Sequence, residues 1–398
     1  MTAAPPADPV ADDVVYLDYA ATSAVRPEPV VEAVARYLRD VGATPGRAGH
    51  RRAVDAGRIV LRCRRMLAEL FGAPGDPGRV TFHLNATHAL NAALFGLLRA
   101  GDRVVRTEYD HNAVRRPVLA LAQRGVQGVV VEGDPHGGVS MFEVEHALKG
   151  ARLLVVTHAN NVIGNVLPVA DLAEMAHAAG ALVLVDAAQS AGHLPIDVQR
   201  MGIDLLAFTG HKGLLGPQGT GGLWVREGIE LPPAFFGGTG GDSDSPDMPA
   251  LLPDRLEAGS MNGPGIAGVL AGVEWLMERG VDSVHRDESA LKQRLWEALS
   301  AVPGVTMQSP MHGEDGAGIV TIALDGVDPA EAALRLDRDF GVLVRAGLHC
   351  APESHAILGT GGTGAVRFSV GWATTAAEVD RAAAAVARVA ETKGSQRG

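Results

Sequence analysis

The chain has 398 residues, of which 46% are hydrophobic; that length and content suit a soluble globular protein with more than one core. Its formal net charge is −11, and no basic stripe offsets it, which argues against nucleic acid or an anionic membrane as a partner. No apolar run reaches the roughly 18 residues a membrane span needs. The two cysteines, Cys63 and Cys350, lie far apart and make no disulfide framework, which fits a reducing, cytoplasmic setting.

Residues 1–15 begin with an Ala/Pro/Asp-rich stretch, Met1 to Asp13. It lacks a basic n-region and an apolar h-region, so it is expected to be a disordered tail and not a signal peptide. Helical periodicity follows at Val30 to Leu38 and Val54 to Leu70. The arginine-rich patch from Arg47 to Arg65 recurs at helical spacing and is expected to form salt bridges or an interface. A strand is predicted at Val80 to Leu84 and a helix at Ala86 to Leu98. Strand-like runs come next at Val104-Val105, Val129 to Val131, Leu153 to Val156, Leu182 to Val185, Leu205 to Phe208 and Gly222 to Val225, with helical segments between most of them. Repeated βα alternation predicts an α/β fold with a mostly parallel central sheet covered on both faces. The Gly/Ser/Asp/Pro-rich stretch Gly237 to Pro253 reads as a long loop or flap. Beyond it, helices near Gly265 to Arg279 and Ser283 to Ala301 are predicted. Strands at Gly318 to Ala323, Val342 to Arg345 and Ala365 to Val370, a helix near Pro329 to Asp339 and a terminal helix from Thr375 to Thr392 complete a smaller α/β domain. The expected division is 16–264 for the large domain and 265–398 for the small one.

Lys212 stands out among only four lysines. Lys149, Lys292 and Lys393 have polar neighbours and read as surface, whereas Lys212 sits in the apolar, glycine-rich run Phe208 to Pro217. Desolvation disfavours an ammonium, and a neutral amine forms Schiff bases with carbonyl compounds. Upstream, the buried-strand pattern Ala181 to Val185 ends in Asp186. A Schiff-base lysine with an aspartate at a strand end is what pyridoxal 5′-phosphate (PLP) requires, the aspartate pairing with the pyridinium nitrogen. Both residues fall where ligands of such sheets bind, outside the carboxyl ends of the strands.

Other motifs carry matching chemistry. Asn85-Ala86-Thr87 follows a strand and opens a helix, where backbone amides and the Thr87 hydroxyl can hold a phosphate; Thr209 and His211 add donors. His111 follows another strand and can lie over the pyridine ring and relay protons. Asn161 and Gln189 are candidate partners of the phenolic oxygen. Arg367, on a predicted strand, suits a substrate α-carboxylate, with a salt bridge as the plain alternative and Arg345 as the next candidate. Cys350 lies in a loop, Arg345 to Pro352, beside His349, an imidazole able to favour the thiolate. Cys63, on the arginine-rich helix, reads as structural. His349, Cys350 and His355 match no standard zinc spacing, so no metal site is expected. Gly359 to Gly364 satisfies G-x-G-x-x-G by letter, but it precedes a strand and so fails the context of a dinucleotide site.

Together these residues resemble the class V aminotransferase family, fold-type I PLP enzymes that include the cysteine desulfurases. The likeness runs from Tyr16-Leu17-Asp18-Tyr19-Ala20-Ala21-Thr22 to about Thr375. It rests on Asn85-Ala86-Thr87, His111, Asn161, Asp186-x-x-Gln189, Thr209-x-His211-Lys212 and Glu257-Ala258-Gly259-Ser260. The segment Arg345 to Pro352 resembles the short cysteine loop of the group II desulfurase and selenocysteine lyase branch. The resemblance implies a homodimer, with the Gly259-Ser260 turn reaching the partner's cofactor phosphate. It also implies an L-cysteine desulfurase: Lys212 and His111 manage protons, Cys350 takes the substrate sulfur as a persulfide, alanine is released, and an acceptor protein can take the sulfur. Related readings on the same scaffold are selenocysteine lyase, C–S lyase, epimerase or aminotransferase. Tyr19, His88, Ser260 and Trp372-Ala373-Thr374 depart from the commoner Asn, Glu, Thr and aromatic-Asn-Thr, and bear on the substrate.

Overall fold

Two sheets and three main apolar clusters organise the chain, seen in a computed structural model that describes residues 14–46, 49–240, 244–311 and 316–391. The first half runs β1 (Val15–Tyr16), α1 (Glu28–Arg36), α2 (Arg51–Leu70), β2 (Val80–His83), α3 (Ala86–Leu97), β3 (Arg103–Thr107), α4 (Asn112–Ala122), β4 (Gln127–Val131), α5 (Met141–Ala147), β5 (Leu153–Thr157), α6 (Val169–Ala178), β6 (Leu182–Asp186), β7 (Leu205–Thr209) and β8 (Gly221–Val225). Then come α7 (Gly263–Arg279), α8 (Val281–Ser300), β9 (Val305–Met307), β10 (Ile319–Leu324), α9 (Pro329–Phe340), β11 (Val342–Leu343), β12 (Arg345–Gly347), α10 (Pro352–Ile357), β13 (Ala365–Ser369) and α11 (Ala376–Glu391).

The seven-stranded sheet has the order β2-β8-β7-β6-β5-β3-β4. Strands β7, β6, β5, β3 and β4 are parallel to one another, and β8 runs antiparallel to both β2 and β7. The α/β fold with a mostly parallel sheet is therefore as the sequence predicts. Every residue of β5 and β7 is buried, because helices cover both faces; such strands read as unbroken apolar runs instead of alternating ones. On α2 the buried residues Ala53, Ala56, Val60, Cys63 and Leu67 recur every three or four positions, the spacing of one helix face. Fully burying Val60 or Leu67 contributes about 1.5–3 kcal/mol each. The arginines of this helix pair as expected: Arg58 with Asp55 at 3.1 Å, Arg62 with Glu274 at 2.7 Å, and the buried Arg64 with Glu257 at 2.7 Å.

A second, antiparallel sheet has the order β12-β13-β10-β9, and its core joins Leu295, Ile322, Leu336, Phe368 and Val386 from strands and from α8, α9 and α11. Two features cross the division at 264/265 that the sequence suggests. Val15 and Leu17 belong to this second core, and β1 pairs in parallel with β11. Conversely, α7 packs against α1 and α2. The predicted strand Val342 to Arg345 is two strands, because the chain leaves β1 and joins β13 one residue later. Lys292 is not a surface lysine: it is buried and donates to the Gly316 carbonyl at 3.3 Å. The tail over residues 1–13, Arg47, part of the predicted flap (241–243), Thr392 and Lys393 lie outside the described residues.

Candidate active site

A cavity of about 260 Å³ opens at the carboxyl ends of β5, β6 and β7. Ala86, Thr87, His111, Asn161, Asp186, Gln189, Thr209, His211, Lys212, Arg345 and Arg367 all line it, together with Ala20, Ala21 and His349. Two predicted site residues do not. Ser260 is exposed and lines a separate cavity with Leu84, Phe235 and Phe236. Cys350 is exposed beside the first cavity, with its neighbour His349 in the lining.

Each element delivers its residue for a local reason. Asp186 is the last residue of β6, and Lys212 lies three residues beyond β7. The lysine loop is pinned by Ser23, whose hydroxyl donates to the Lys212 carbonyl at 2.9 Å and whose amide donates to the His211 carbonyl at 2.9 Å. Gly213 follows because a Cβ there would sit 2.4 Å from the Ala191 carbonyl oxygen and 2.6 Å from the His193 ring. Asn85 caps α3 by accepting from the His88 amide at 2.9 Å. The Ala86 and Thr87 amides precede the first intrahelical donor, so the positive helix end faces the cavity with donors to spare. His111 caps α4: its Nδ1 accepts from the Ala113 amide at 3.0 Å, which leaves the ring proton on Nε2.

Burial sets the electrostatics. The Lys212 amine is pushed down to about 8, first by burial and then by the Arg367 cation. His111 falls to about 4 through burial and the nearby Lys212 charge, and is neutral. Burial raises Asp186, against the opposing pull of the Ala188 amide, 2.9 Å from Oδ1, and of Lys212. A carboxylate held up in this way gains from a cationic N–H donor, and a pyridinium supplies one. Arg367 is buried and fixed by Asp18 at 2.7 Å and the Asn161 carbonyl at 2.9 Å, yet its Nε has no partner. The salt bridge and an available donor thus coexist in one side chain. Asn161 gives one N–H to the His349 carbonyl at 2.6 Å and leaves Oδ1 buried without a partner. Gln189 donates to the Ala20 carbonyl at 3.0 Å. His211 Nδ1 meets the Thr22 hydroxyl at 3.1 Å, and Thr209 donates weakly to the Thr220 carbonyl at 3.4 Å. Spare amides at a helix end, a buried carboxylate, a depressed lysine and partnerless polar atoms in one cavity fit the phosphate, ring nitrogen and aldehyde of PLP.

The cysteine loop corrects one expectation. The imidazole of His349 does not favour a Cys350 thiolate. It turns inward, with Nδ1 3.0 Å from His355 Nε2 and Nε2 3.2 Å from the Arg345 carbonyl. His355 Nδ1 meets the Thr360 hydroxyl at 2.8 Å. One proton arrangement satisfies all three contacts with both rings neutral, and burial drives the pair down to about 3 and about 4. The cation beside the thiol is Arg345, whose Nη2 lies 3.9 Å from Sγ. Sequence reasoning also missed the carboxylate partners Asp18 of Arg367 and Glu353 of the cysteine loop; no short-range pattern links residues 349 positions apart. Cys63 is fully buried, as a structural cysteine should be. No cluster of potential metal ligands occurs among the described residues.

Comparison with known proteins gives a consistent family. The aminotransferase class-V family model matches residues 15–382. A probable cysteine desulfurase of Methanothermobacter thermautotrophicus is 35% identical over 380 residues, covering 93% of each chain. Another from Pyrococcus abyssi is 33% identical, covering 91% of each. Among solved structures, the apo cysteine desulfurase of Thermococcus onnurineus superimposes with a TM-score of 0.88 at 32% identity, covering 95% of each chain. A cysteine desulfurase of Escherichia coli gives 0.84 at 30% identity, again over 95% of each.

Proposed function

Since the chain belongs to the aminotransferase class-V family, we propose that it is a PLP-dependent cysteine desulfurase, converting L-cysteine to alanine and an enzyme persulfide on Cys350. The observation that carries this reading is the thiol itself. Cys350 is exposed, 3.9 Å from Arg345, which lines the cavity holding Lys212 and Asp186. Other eliminations at Cβ need no protein thiol.

When bound, PLP withdraws electron density from Cα of the attached amino acid. The Ala86 and Thr87 amides, with Thr209 and His211, would hold its phosphate. Asp186 would keep the ring nitrogen protonated, and His111, Asn161 and Gln189 would be the residues available to the ring and its phenolic oxygen. Lys212 would hold the cofactor aldehyde, and its amine, lowered to about 8 by burial, is suited to moving the Cα proton. Arg367 orients the substrate carboxylate with its guanidinium, and Arg345 lines the same cavity. Cys350 Sγ attacks the substrate sulfur: the Sγ–S bond forms, the Cβ–S bond breaks, and its electron pair stays on Cβ. Cβ then takes a proton, a transfer assigned to His111, whose neutral ring carries its proton on Nε2. The substrate's sulfur is oxidised to the sulfane level while its β-carbon is reduced by the same two electrons, so no outside oxidant is needed.

The enzyme is further inferred to be a homodimer. Ser260, Leu84 and Phe236 are exposed around one cavity that a second copy could cover, and the family resemblance implies that Ser260 then reaches its neighbour's phosphate. A cytoplasmic setting and a protein sulfur acceptor complete the reading; no helix among the described residues is long and apolar enough to cross a membrane. The test is incubation with L-cysteine while alanine, sulfide and protein persulfide are assayed together. One alanine per persulfide in the first turnover supports the proposal. Pyruvate and sulfide without persulfide would assign the chain to the C–S lyases.

A further inference from the structure

Glu353 is the second residue of α10, three after Cys350, and its carboxylate is held from two directions. Arg106 of β3, itself buried, donates through Nη1 at 2.6 Å and Nη2 at 2.9 Å, a bidentate pair. Arg115 of α4 donates through Nε at 3.0 Å. The helix bearing Arg115 is the one His111 caps. Its first residue, Asn112, gives its amide to the Cys350 carbonyl at 2.8 Å. The cysteine loop is further held by Asn161 at the His349 carbonyl, 2.6 Å, and by Asn160 at the Ser354 hydroxyl, 3.0 Å.

The loop is strained at the same place. His349 and Cys350 both have positive φ, 50° and 59°. A left-handed conformation is strained for a non-glycine residue and persists only where surroundings over-determine it. Charge-assisted bidentate bonds from a buried arginine are strong and directional, so the Glu353 clamp can help hold that conformation.

We propose that Glu353 is a positioning residue: it bolts the loop bearing Cys350 to the strand and helix that flank His111, and so fixes the thiol relative to the group that manages the proton at Cβ. The proposal rests on the desulfurase reading. In this enzyme the nucleophile is presented by a rigid bracket, and the bracket is needed for the sulfur-transfer step and for no other.

The test uses holoenzyme carrying Glu353→Gln, with Arg115→Met as a second variant that leaves the Arg106 pair intact. L-cysteine is followed through one turnover by persulfide and alanine. 3-Chloro-L-alanine, whose chloride leaves Cβ without a nucleophile, reports the same site without the thiol. Misplacing a reacting group by about 1 Å costs about 100-fold. Glu353→Gln should therefore form persulfide about 10- to 100-fold more slowly, and Arg115→Met several-fold more slowly, with chloroalanine turnover within about twofold of wild type. Wild-type persulfide rates in Glu353→Gln, or equal losses with both substrates, would overturn the clamp. If Glu353→Gln does not fold, Arg115→Met decides on the same terms. Cys350→Ser, run in parallel, separates the two ideas. Persulfide formation surviving in it refutes the desulfurase reading, whereas its loss alongside an unimpaired Glu353→Gln refutes the clamp alone.

Discussion

Removing the Arg367 guanidinium should cripple substrate binding while sparing the cofactor. The side chain is 1% exposed, held by Asp18 at 2.7 Å and by the Asn161 carbonyl at 2.9 Å, and it lines the cavity. A carboxylate meeting that guanidinium would be desolvated and charge-paired. Truncating one partner of such a pair costs about 2–5 kcal/mol, which is roughly 30- to 5,000-fold in affinity. The variant is Arg367→Ala, and the assay is titration of the visible cofactor spectrum with L-cysteine. The dissociation constant should rise by at least the lower figure, while PLP retained after dialysis stays near wild type. Asp18→Asn is the informative companion. It keeps the guanidinium but loosens its anchor, so it should weaken cysteine several-fold only. Unchanged cysteine saturation in Arg367→Ala would refute the assignment and leave Arg367 as a salt-bridge residue between β13 and the N-terminal segment.

Four further outcomes follow from the same geometry and burial. Lys212→Ala should lose the visible absorbance of the lysine-bound cofactor after dialysis, and all turnover. In the wild-type apoprotein, the rate of cofactor uptake should rise with pH with a midpoint near the depressed amine value of about 8, and a midpoint near 10 would contradict the burial argument. Asp186→Asn should keep PLP but slow turnover by orders of magnitude, and bound PLP with a near-wild-type rate would reduce Asp186 to a turn-forming residue. His83, His111, His158, His349 and His355 are all pushed down to about 3 or 4 by burial. The unfolded chain then binds more protons than the folded one below about pH 6.5, and stability is lost as pH falls from there toward 4. Urea midpoints at pH 7, 6 and 5 should decline in that order, and a flat series would show that these rings are not held neutral.

The central strands were legible because each is buried on both faces. Leu153 to Val156 and Leu182 to Val185 are unbroken apolar runs, and no helix-period pattern competes with them. Lys212 and Asp186 were legible for a related reason: each interrupts an apolar stretch that has no cheap place for a charge. The short strands were not. Val15–Tyr16 and Val342–Leu343 are two residues each, paired across most of the chain, and their pattern carries no periodicity of its own. Lys292 misled because its helical neighbours are polar while its own amine turns inward to Gly316. His349 misled in the opposite sense. Adjacency to Cys350 in sequence suggested a contact, but the left-handed backbone sends the two side chains apart, and Arg345, five residues earlier, takes the place beside sulfur. The clamp on Glu353 joins three elements, so nothing local announces it.

The most direct test of the whole account is a single turnover of L-cysteine by wild-type and Cys350→Ser holoenzyme, with the persulfide located by mass spectrometry of the intact protein and its peptides. The wild type should gain one sulfur atom, on the peptide containing Cys350, for each alanine formed. The variant should still bind PLP and give the spectral change on adding cysteine, yet gain no sulfur and form no alanine. Cys63→Ser serves as the control, losing some stability from its fully buried site but keeping the persulfide. Sulfide release by Cys350→Ser at the wild-type rate, or the added sulfur appearing on Cys63, would contradict the account.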